Sequence, residues 1–518
     1  MIGSSRSYAI GMAHFQLGGG WRTVYIVLGV YMLLFFGGVG IFYYEKVQAD
    51  AVGQPFSVVD ASGVLLMLLM VLQGFALLLV GGARVSNAIR LDLSSNMIES
   101  HRLMPISSGR AIWGYLVGPT TAVILFSLLN ALMSVMFGTI EGQPLERMLI
   151  NQGVIFAFAF FVWSITAMGT FVYRQIFGFV VAGIFLGTCA RLMALAFVSV
   201  PGLSLLMTPF TGETIFTLGA GRPVMDVEYA VGIAGQAALF LIFFAASCRL
   251  YRGIAETAFS TLLGTLLLTV WAGISAVGIG HSIAHPQAMG RGFGIRDVPV
   301  AVQVVASLAT CIVLSVTPLW AFVRQDRLRP RSGIAAAGVV ALTACLVCLP
   351  IAGATQAHEF NGSALLVSLL SAGAQVTVVY AMLRIMRGTK FILAMIVAGG
   401  VMGMLWFGPL VLEAMRINWF SNGRDMEMSV LGYLSPIALL AQKWSSETAK
   451  LPAVQSLVWQ WIAAGLALGL VALSKRAAAA RARKRGFLAV PALPVAVAVK
   501  AEIPQFESPS HGAGSGQG

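Results

Sequence analysis

The ionisable side chains that could do chemistry gather in one polar stretch of an otherwise apolar sequence. Asp92, Glu99 and Arg102 lie within residues 87–104. Apolar residues recur among them at roughly helical spacing: Ile89, Leu93, Met97 and Leu103. This spacing predicts one amphipathic helix at a membrane surface, with its charges in water. Such a helix could dock a soluble protein, or it could be a solvated connector between two spans.

A turn is predicted directly after this helix. Pro105 cannot continue a helix, and it keeps the preceding residue, Met104, out of the α-helical region. The chain should therefore turn there, and Ser107 or Ser108 is expected to cap the next helix. Trp113 follows a few residues later, as expected for a helix that enters a bilayer through its interface.

Polar residues inside apolar runs are a second source of candidate sites, because they are costly in lipid. Arg191 lies about fifteen residues into a predicted span. Its guanidinium could contact a carbonyl or an anionic substrate group, or it could extend to the outer interface. Five amides are expected to form interhelical hydrogen bonds rather than to bind a ligand. They are Gln73, Asn130, Asn151, Gln236 and Gln375.

Three histidines raise the alternative of a metal site. His281 and His285 are four residues apart beyond a predicted span, and His358 lies beside Glu359 in another loop. Imidazole and carboxylate groups are common zinc ligands. Pro286 disfavours one continuous helical face for the first pair, and the spacing fixes no third ligand. The sequence therefore predicts no metal site.

The elements that must position these residues are membrane-spanning helices. The sequence is 58% hydrophobic and only 10% charged, and its mean hydropathy is +0.86. About 20 apolar residues are needed to cross a bilayer as a helix. Twelve such runs cover residues 24–44, 62–81, 112–138, 148–173, 176–198, 227–248, 259–280, 301–323, 333–353, 363–385, 391–415 and 453–474. The predicted fold class is an all-α polytopic membrane protein.

The distribution of basic residues predicts the orientation. With the N-terminus inside, 23 of the 33 lysines and arginines fall in segments on the cytoplasmic side. Positive charges near span ends are retained on that side, so both termini are predicted to be cytoplasmic. Because these charges are spread over many span ends, the pI near 9.8 does not indicate a nucleic-acid partner.

The twelve runs divide into two groups of six. Residues 1–255 form the first group, and the polar segment 87–111 joins its second and third spans. Residues 256–474 form the second group, for which no internal repeat is evident. Residues 475–518 begin with a basic cluster expected to lie against anionic headgroups. The Pro/Ala/Val and Gly/Ser stretch that follows is predicted to be disordered.

The segment between the second and third spans resembles the permease subunits of ATP-binding-cassette (ABC) exporters of the type-2 class. These commonly have an acid, a Gly-Thr pair, a Glu, a Pro-x-Ser and a Gly-Lys in this order. The matching residues are Asp92, Glu99, Pro105, Ser107 and Gly114. The departures are Asn96 and Met97 for Gly-Thr, and Tyr115 for the lysine. The resemblance covers about 30 residues.

The resemblance implies a transport component, not an enzyme, in the cytoplasmic (inner) membrane of a bacterium. The sequence contains no G-x-x-x-x-G-K-[ST] motif and no soluble stretch long enough for a motor domain, so it predicts no cofactor in this chain. ATP and Mg²⁺ are expected on a separate soluble ATPase subunit. The implied interface residues are Asp92, Glu99, Arg102, Met104, Pro105 and Ser107.

Three points stay open at this level. Two copies of the chain could pair as a homodimer, or one chain could bind two ATPases. The substrate class does not follow from the sequence. A secondary transporter, or a polytopic membrane enzyme acting on lipid-linked substrates, is the alternative; the first would need ionisable groups near the midplane, and the second a convergent catalytic cluster.

Overall fold

The computed structural model describes a helical membrane protein. The described residues are 9–52, 58–140, 142, 144–173, 202, 206, 226–253, 257–284, 300–325, 333–355, 362–420, 435 and 453–488. Within these ranges every regular element is a helix, so the predicted all-α class is confirmed. Ten of the described helices are long and apolar enough to cross a membrane.

The helices of the first half surround the polar segment. They are α1 (Ala9–Leu17), α2 (Gly20–Val52), α3 (Val58–Gly74), a π-helical turn (Phe75–Gly81), α4 (Gly82–Ser94), α5 (Met97–Leu103), α6 (Ser108–Val117), α7 (Thr121–Ile140), α8 (Leu145–Tyr173) and α9 (Asp226–Arg252). Helices α3, the π turn and α4 follow one another without a break. The predicted span 62–81 is thus the middle of a longer helix.

The second half is also helical. Its elements are α10 (Thr261–Ala284), α11 (Val300–Gln325), α12 (Gly333–Val347), α13 (Leu349–Thr355), α14 (Gly362–Ile385), α15 (Phe391–Phe420) and α16 (Ala453–Leu488). Residues up to Leu468 belong to one compact unit, and those from Gly469 to a second. Helix α16 does not end at residue 474 but continues through the basic cluster to Leu488, and residues beyond Leu488 lie outside the described ranges.

Eleven of the twelve predicted spans overlap described helices, and two of them are divided between consecutive helices: 112–138 between α6 and α7, and 333–353 between α12 and α13. The run 176–198 lies outside the described residues, and α15 contributes a shorter apolar stretch, Leu393–Trp406. The count of twelve therefore stays a prediction. Apolar side chains form two large buried clusters, one among α1 to α10 and one among α10 to α15. Because α10 contributes to both, the boundary at residue 255 also stays a prediction.

Buried amides of the first bundle form hydrogen bonds, and those of Asn130 and Gln73 join two spans, as predicted. Asn130 on α7 donates to the Leu69 carbonyl at 2.8 Å and to Gln73 Oε1 at 3.2 Å, both on α3. Gln236 on α9 donates to the Leu206 carbonyl at 2.9 Å. Such hydrogen bonds give neighbouring helices a fixed rotation, because an unpaired amide in hydrocarbon is costly.

The π turn fixes how α4 continues from α3. Trp163 on α8 donates its indole N–H to the Leu77 carbonyl at 2.8 Å, within that turn. A Cβ on Gly81 would lie 2.6 Å from the same indole nitrogen, so only glycine allows this approach. Helix α8 and the π turn therefore hold the base of α4 and the polar segment beyond it.

Candidate functional site

The polar segment forms two helices rather than the single helix predicted over residues 87–104. Helix α4 ends at Ser94 and α5 begins at Met97. The hydroxyls of Ser94 and Ser95 both donate to the Leu91 carbonyl, at 2.9 and 2.8 Å, which satisfies an acceptor at the helix end. Asn96 then adopts a left-handed conformation with φ of 57°, which asparagine tolerates better than most residues. The prediction of one helix is wrong because these local bonds stop it.

The turn after α5 is as predicted. Met104 is extended, with φ −72° and ψ 147°, and α5 ends immediately before it. The hydroxyl oxygen of Ser107 accepts from the Arg110 backbone N–H at 3.4 Å, so Ser107 is the N-cap of α6. Pro105 therefore separates two short helices whose relative direction is set by a rigid, pre-proline backbone.

Asp92 lies in a buried polar cluster and not at the surface. Its side chain is 5% exposed, and Oδ2 accepts a hydrogen bond from the Tyr115 hydroxyl at 2.6 Å. The same oxygen lies 3.1 Å from His14 Nε2 and 3.4 Å from His101 Nδ1. The prediction that this carboxylate faces water is wrong. Burial is possible because three neighbours supply polar partners for the charge.

The cluster joins four helices. Asp92 comes from α4, His14 from α1, His101 from α5 and Tyr115 from α6. The His101 ring nitrogen Nδ1 also lies 3.1 Å from the Tyr115 hydroxyl oxygen. Because one carboxylate is shared by three helices, none of them can shift without breaking a contact to a buried charge. We call these four residues the aspartate cluster.

Close packing of α1 on α6 brings His14 into the aspartate cluster. A Cβ on Gly114 would lie 3.1 Å from the Gly11 nitrogen, so the two backbones pass in near contact. Gly114 and Gly118 have the four-residue spacing of small residues at tight helix crossings. This spacing is the only sequence signal that could have indicated the α1 contact. Sequence reasoning missed His14 entirely.

Arg102 attaches α5 to the end of α9. Its Nε donates to the Tyr251 carbonyl at 2.5 Å and its Nη2 to the Leu250 carbonyl at 3.2 Å. These carbonyls lie in the last turn of α9, where backbone acceptors lack helical partners. Arg102 Nη1 also donates to Glu99 Oε1 at 2.8 Å. The predicted interface residue Arg102 is thus largely committed to holding α5 in place.

A second contact joins α9 to the start of α6. Arg252 Nε donates to the Ser108 hydroxyl at 3.0 Å. Together with the Arg102 contacts, this bond fixes the end of α9 to both sides of the Pro105 turn. Helices α4, α5, α6 and α9 therefore form one braced unit, which we call the coupling unit.

One side of α5 is exposed, and no other described helix covers it. Leu103 is 89% exposed, and the Glu99 side chain is 57% exposed. Met104, Pro105 and Ser107 are exposed as well. Four of the six predicted interface residues are therefore exposed, whereas Asp92 is buried and Arg102 is partly buried. Leu103 was not among the predicted interface residues. A leucine directly before a turn in a charged segment could have indicated an exposed apolar contact.

Replacing Arg102 with methionine is expected to free α5 while leaving the spans folded. The variant keeps the length of the side chain but removes the charged donor of two hydrogen bonds to α9 carbonyls. Each hydrogen bond of this kind contributes about 1.5–3 kcal/mol to stability. Hydrogen–deuterium exchange should accelerate in residues 97–103. Arg90→Met is the matched control, because Arg90 is exposed and bonds only locally to Asn87 at 2.9 Å. Equal exchange in both variants would contradict the bracing role.

The surroundings of His101 predict a dependence of stability on pH. Burial lowers the pKa of His101, the Asp92 carboxylate opposes this, and His14 adds to the lowering. His101 is thus neutral in the folded protein at a pH where the unfolded chain, with the usual value of 6.5, binds a proton. Stability should therefore fall as pH drops below 6.5 towards the lowered folded value. His101→Gln should flatten this dependence between pH 7.5 and 5.5. An unchanged slope would contradict the account.

Most of the remaining candidates lie outside the described residues: Arg191, His285 and His358. His281 lies near the end of α10. Across the described ranges, no three His, Cys, Asp or Glu side chains are grouped so that they could hold a metal ion.

No protein-family model, no curated protein and no solved structure matches this chain. The geometry of the coupling unit and the short sequence pattern within it are therefore the basis for a functional proposal.

Proposed function

We propose that the chain is the membrane-spanning permease component of an ABC-type exporter. In this proposal a separate soluble ATPase binds the open side of α5, and ATP hydrolysis there drives substrate translocation. The observation that carries the proposal is the bracing of α5. A helix with an 89%-exposed leucine is fixed by buried and charged contacts to three longer helices.

This arrangement suits the transmission of force. A displacement of α5 by a partner bound at Leu103 or Glu99 would be transmitted to other helices. Arg102 connects α5 to α9, and His101 connects it to α4 and α6. Packed helices tied in this way move as rigid bodies rather than deforming locally. A solvated connector would need neither a buried carboxylate nor an arginine bonded to another helix end. The braced contacts therefore favour coupling over a simple connector.

Two of the three residues that depart from the exporter pattern, Asn96 and Tyr115, have physical explanations that support the proposal. Asn96 stands where the pattern has glycine, and its φ of 57° is a conformation that glycine and asparagine both adopt. Tyr115 stands where the pattern has lysine, and its hydroxyl donates to the acid at the first position of the pattern, Asp92. Asn96 can thus take the backbone conformation of a glycine, and Tyr115, like a lysine, can donate to an acid; nothing in the structure explains Met97 in place of threonine.

Orientation and partners follow as parts of the same proposal. The coupling unit would face the cytoplasm of a bacterial inner membrane, with both termini on that side, in agreement with the excess of lysine and arginine in those segments. ATP and Mg²⁺ would be bound by the ATPase. Either two copies of this chain or one chain with two ATPases would complete the transporter.

Purification of the native complex in a mild detergent tests the proposal. A soluble ATPase carrying a G-x-x-x-x-G-K-[ST] phosphate loop is expected in stoichiometric amount. Transport by the purified chain alone on an ion gradient would instead favour the secondary transporter. Turnover of a lipid-linked substrate without any partner would favour the membrane enzyme.

A further inference from the structure

A cleft opens beside the coupling unit, between α1, α2, α6 and α9. Its volume is about 770 Å³. Most of its wall is apolar or aromatic, including Phe15, Trp21, Trp113 and Phe244. Trp21 and Trp113 are both substantially exposed. Exposed tryptophans of this kind are typical of the interface between hydrocarbon and headgroups.

The cleft has one charged end. Arg110 lines it next to Ser107, at the start of α6. The Arg110 side chain is exposed, and among the residues that the structure describes it forms no ion pair. Among the residues that the structure describes, no carboxylate lines the cleft. The charged end therefore attracts an anion.

The cleft runs along most of α6. Its lining on that helix extends from Gly109 to Val117, where α6 ends. At a rise of ~1.5 Å per residue these positions are about 12 Å apart. A groove of this length accommodates most of an acyl chain that crosses the ~15 Å of one leaflet. An acyl chain anchored by its headgroup at Arg110 would thus lie along α6.

We propose that this cleft binds one anionic phospholipid, with the phosphate at Arg110 and an acyl chain along α6. Among the described residues, Arg110 is the one lysine or arginine that lines this apolar cleft, and it forms no ion pair with them. Basic pockets between membrane helices are known to favour anionic headgroups. The site does not depend on an ATPase, so it stands or falls separately from the proposed function.

Native mass spectrometry of the purified full chain, with phosphatidylglycerol and phosphatidylcholine as probes, tests this proposal. The wild type should retain one phosphatidylglycerol in preference to phosphatidylcholine. Arg110→Gln should weaken that binding about tenfold, the loss of one charge-assisted contact. Arg90→Gln is the matched control, because Arg90 is an exposed arginine on α4 that does not line the cleft.

A second variant separates binding in the cleft from attraction to surface charge. Gly109 lines the cleft, and a Cβ there would meet only Phe244, at 4.0 Å. Gly109→Leu should therefore fold, fill the charged end of the cleft and lose the bound phosphatidylglycerol while Arg110 remains. Equal retention of the two lipids by the wild type would overturn the proposal. So would unchanged phosphatidylglycerol binding in both Arg110→Gln and Gly109→Leu.

Discussion

Replacing Asp92 with alanine is expected to destabilise the folded protein by about 3–5 kcal/mol, the usual result of breaking a buried charge cluster. The carboxylate is the shared acceptor for groups from α1, α5 and α6. Without it, the Tyr115 hydroxyl and both imidazoles remain buried with no acceptor at their centre. Thermal unfolding in detergent should therefore show a large fall in the transition midpoint.

Two further variants make this result specific. Asp50→Ala is the matched control, because the Asp50 side chain is exposed on α2, and it should leave the midpoint unchanged. Asp92→Asn keeps one carbonyl acceptor, so its midpoint should lie between those of the wild type and Asp92→Ala. If Asp92→Ala unfolded like the wild type, the aspartate cluster would not hold these helices together.

Replacing Leu103 with aspartate is expected to weaken association with the ATPase about 30-fold, the effect of losing a ~2 kcal/mol interface anchor. The side chain is 89% exposed, so the variant should insert and fold normally. A charge at that position would be desolvated wherever α5 is covered by a partner, which is the reason for the large expected effect. The measurement is the amount of ATPase recovered with the purified chain.

The control for this variant is Leu103→Met, which keeps an apolar side chain of similar volume. It should retain the ATPase, and neither variant should change the thermal midpoint. Full recovery of the ATPase with Leu103→Asp would show that the partner binds elsewhere. A lowered midpoint would show instead that Leu103 supports the fold.

The membrane-spanning helices were largely predictable because their cause is local. About 20 consecutive apolar residues leave a helix as the only structure that satisfies the backbone in lipid. The break between α4 and α5 was not predicted, since the apolar spacing continues across it. It depends on hydroxyls of Ser94 and Ser95 bonding back to Leu91 and on the left-handed Asn96. The spacing of apolar residues alone does not predict such hydrogen bonds.

The candidate site was predictable only in part, for a related reason. Pro105 and Ser107 act on their immediate neighbours, so the turn and the cap of α6 were predicted correctly. Asp92 meets a histidine 78 positions away, and Arg102 meets a carbonyl 149 positions away. The spacing of charges on one segment contains no information about such partners. The exposure to water predicted for Asp92 was therefore the part that failed.

Photo-crosslinking from position 103 in the native membrane tests the central claim most directly. A photoreactive amino acid at Leu103 should capture a soluble ATPase carrying a phosphate loop. The same group at Leu33, which is 74% exposed within the predicted span of α2, should capture lipid and no ATPase. Identification by mass spectrometry of the ATPase at 103 alone is the result that the account predicts. Capture of lipid only at both positions, or of a protein without a phosphate loop at 103, would contradict it.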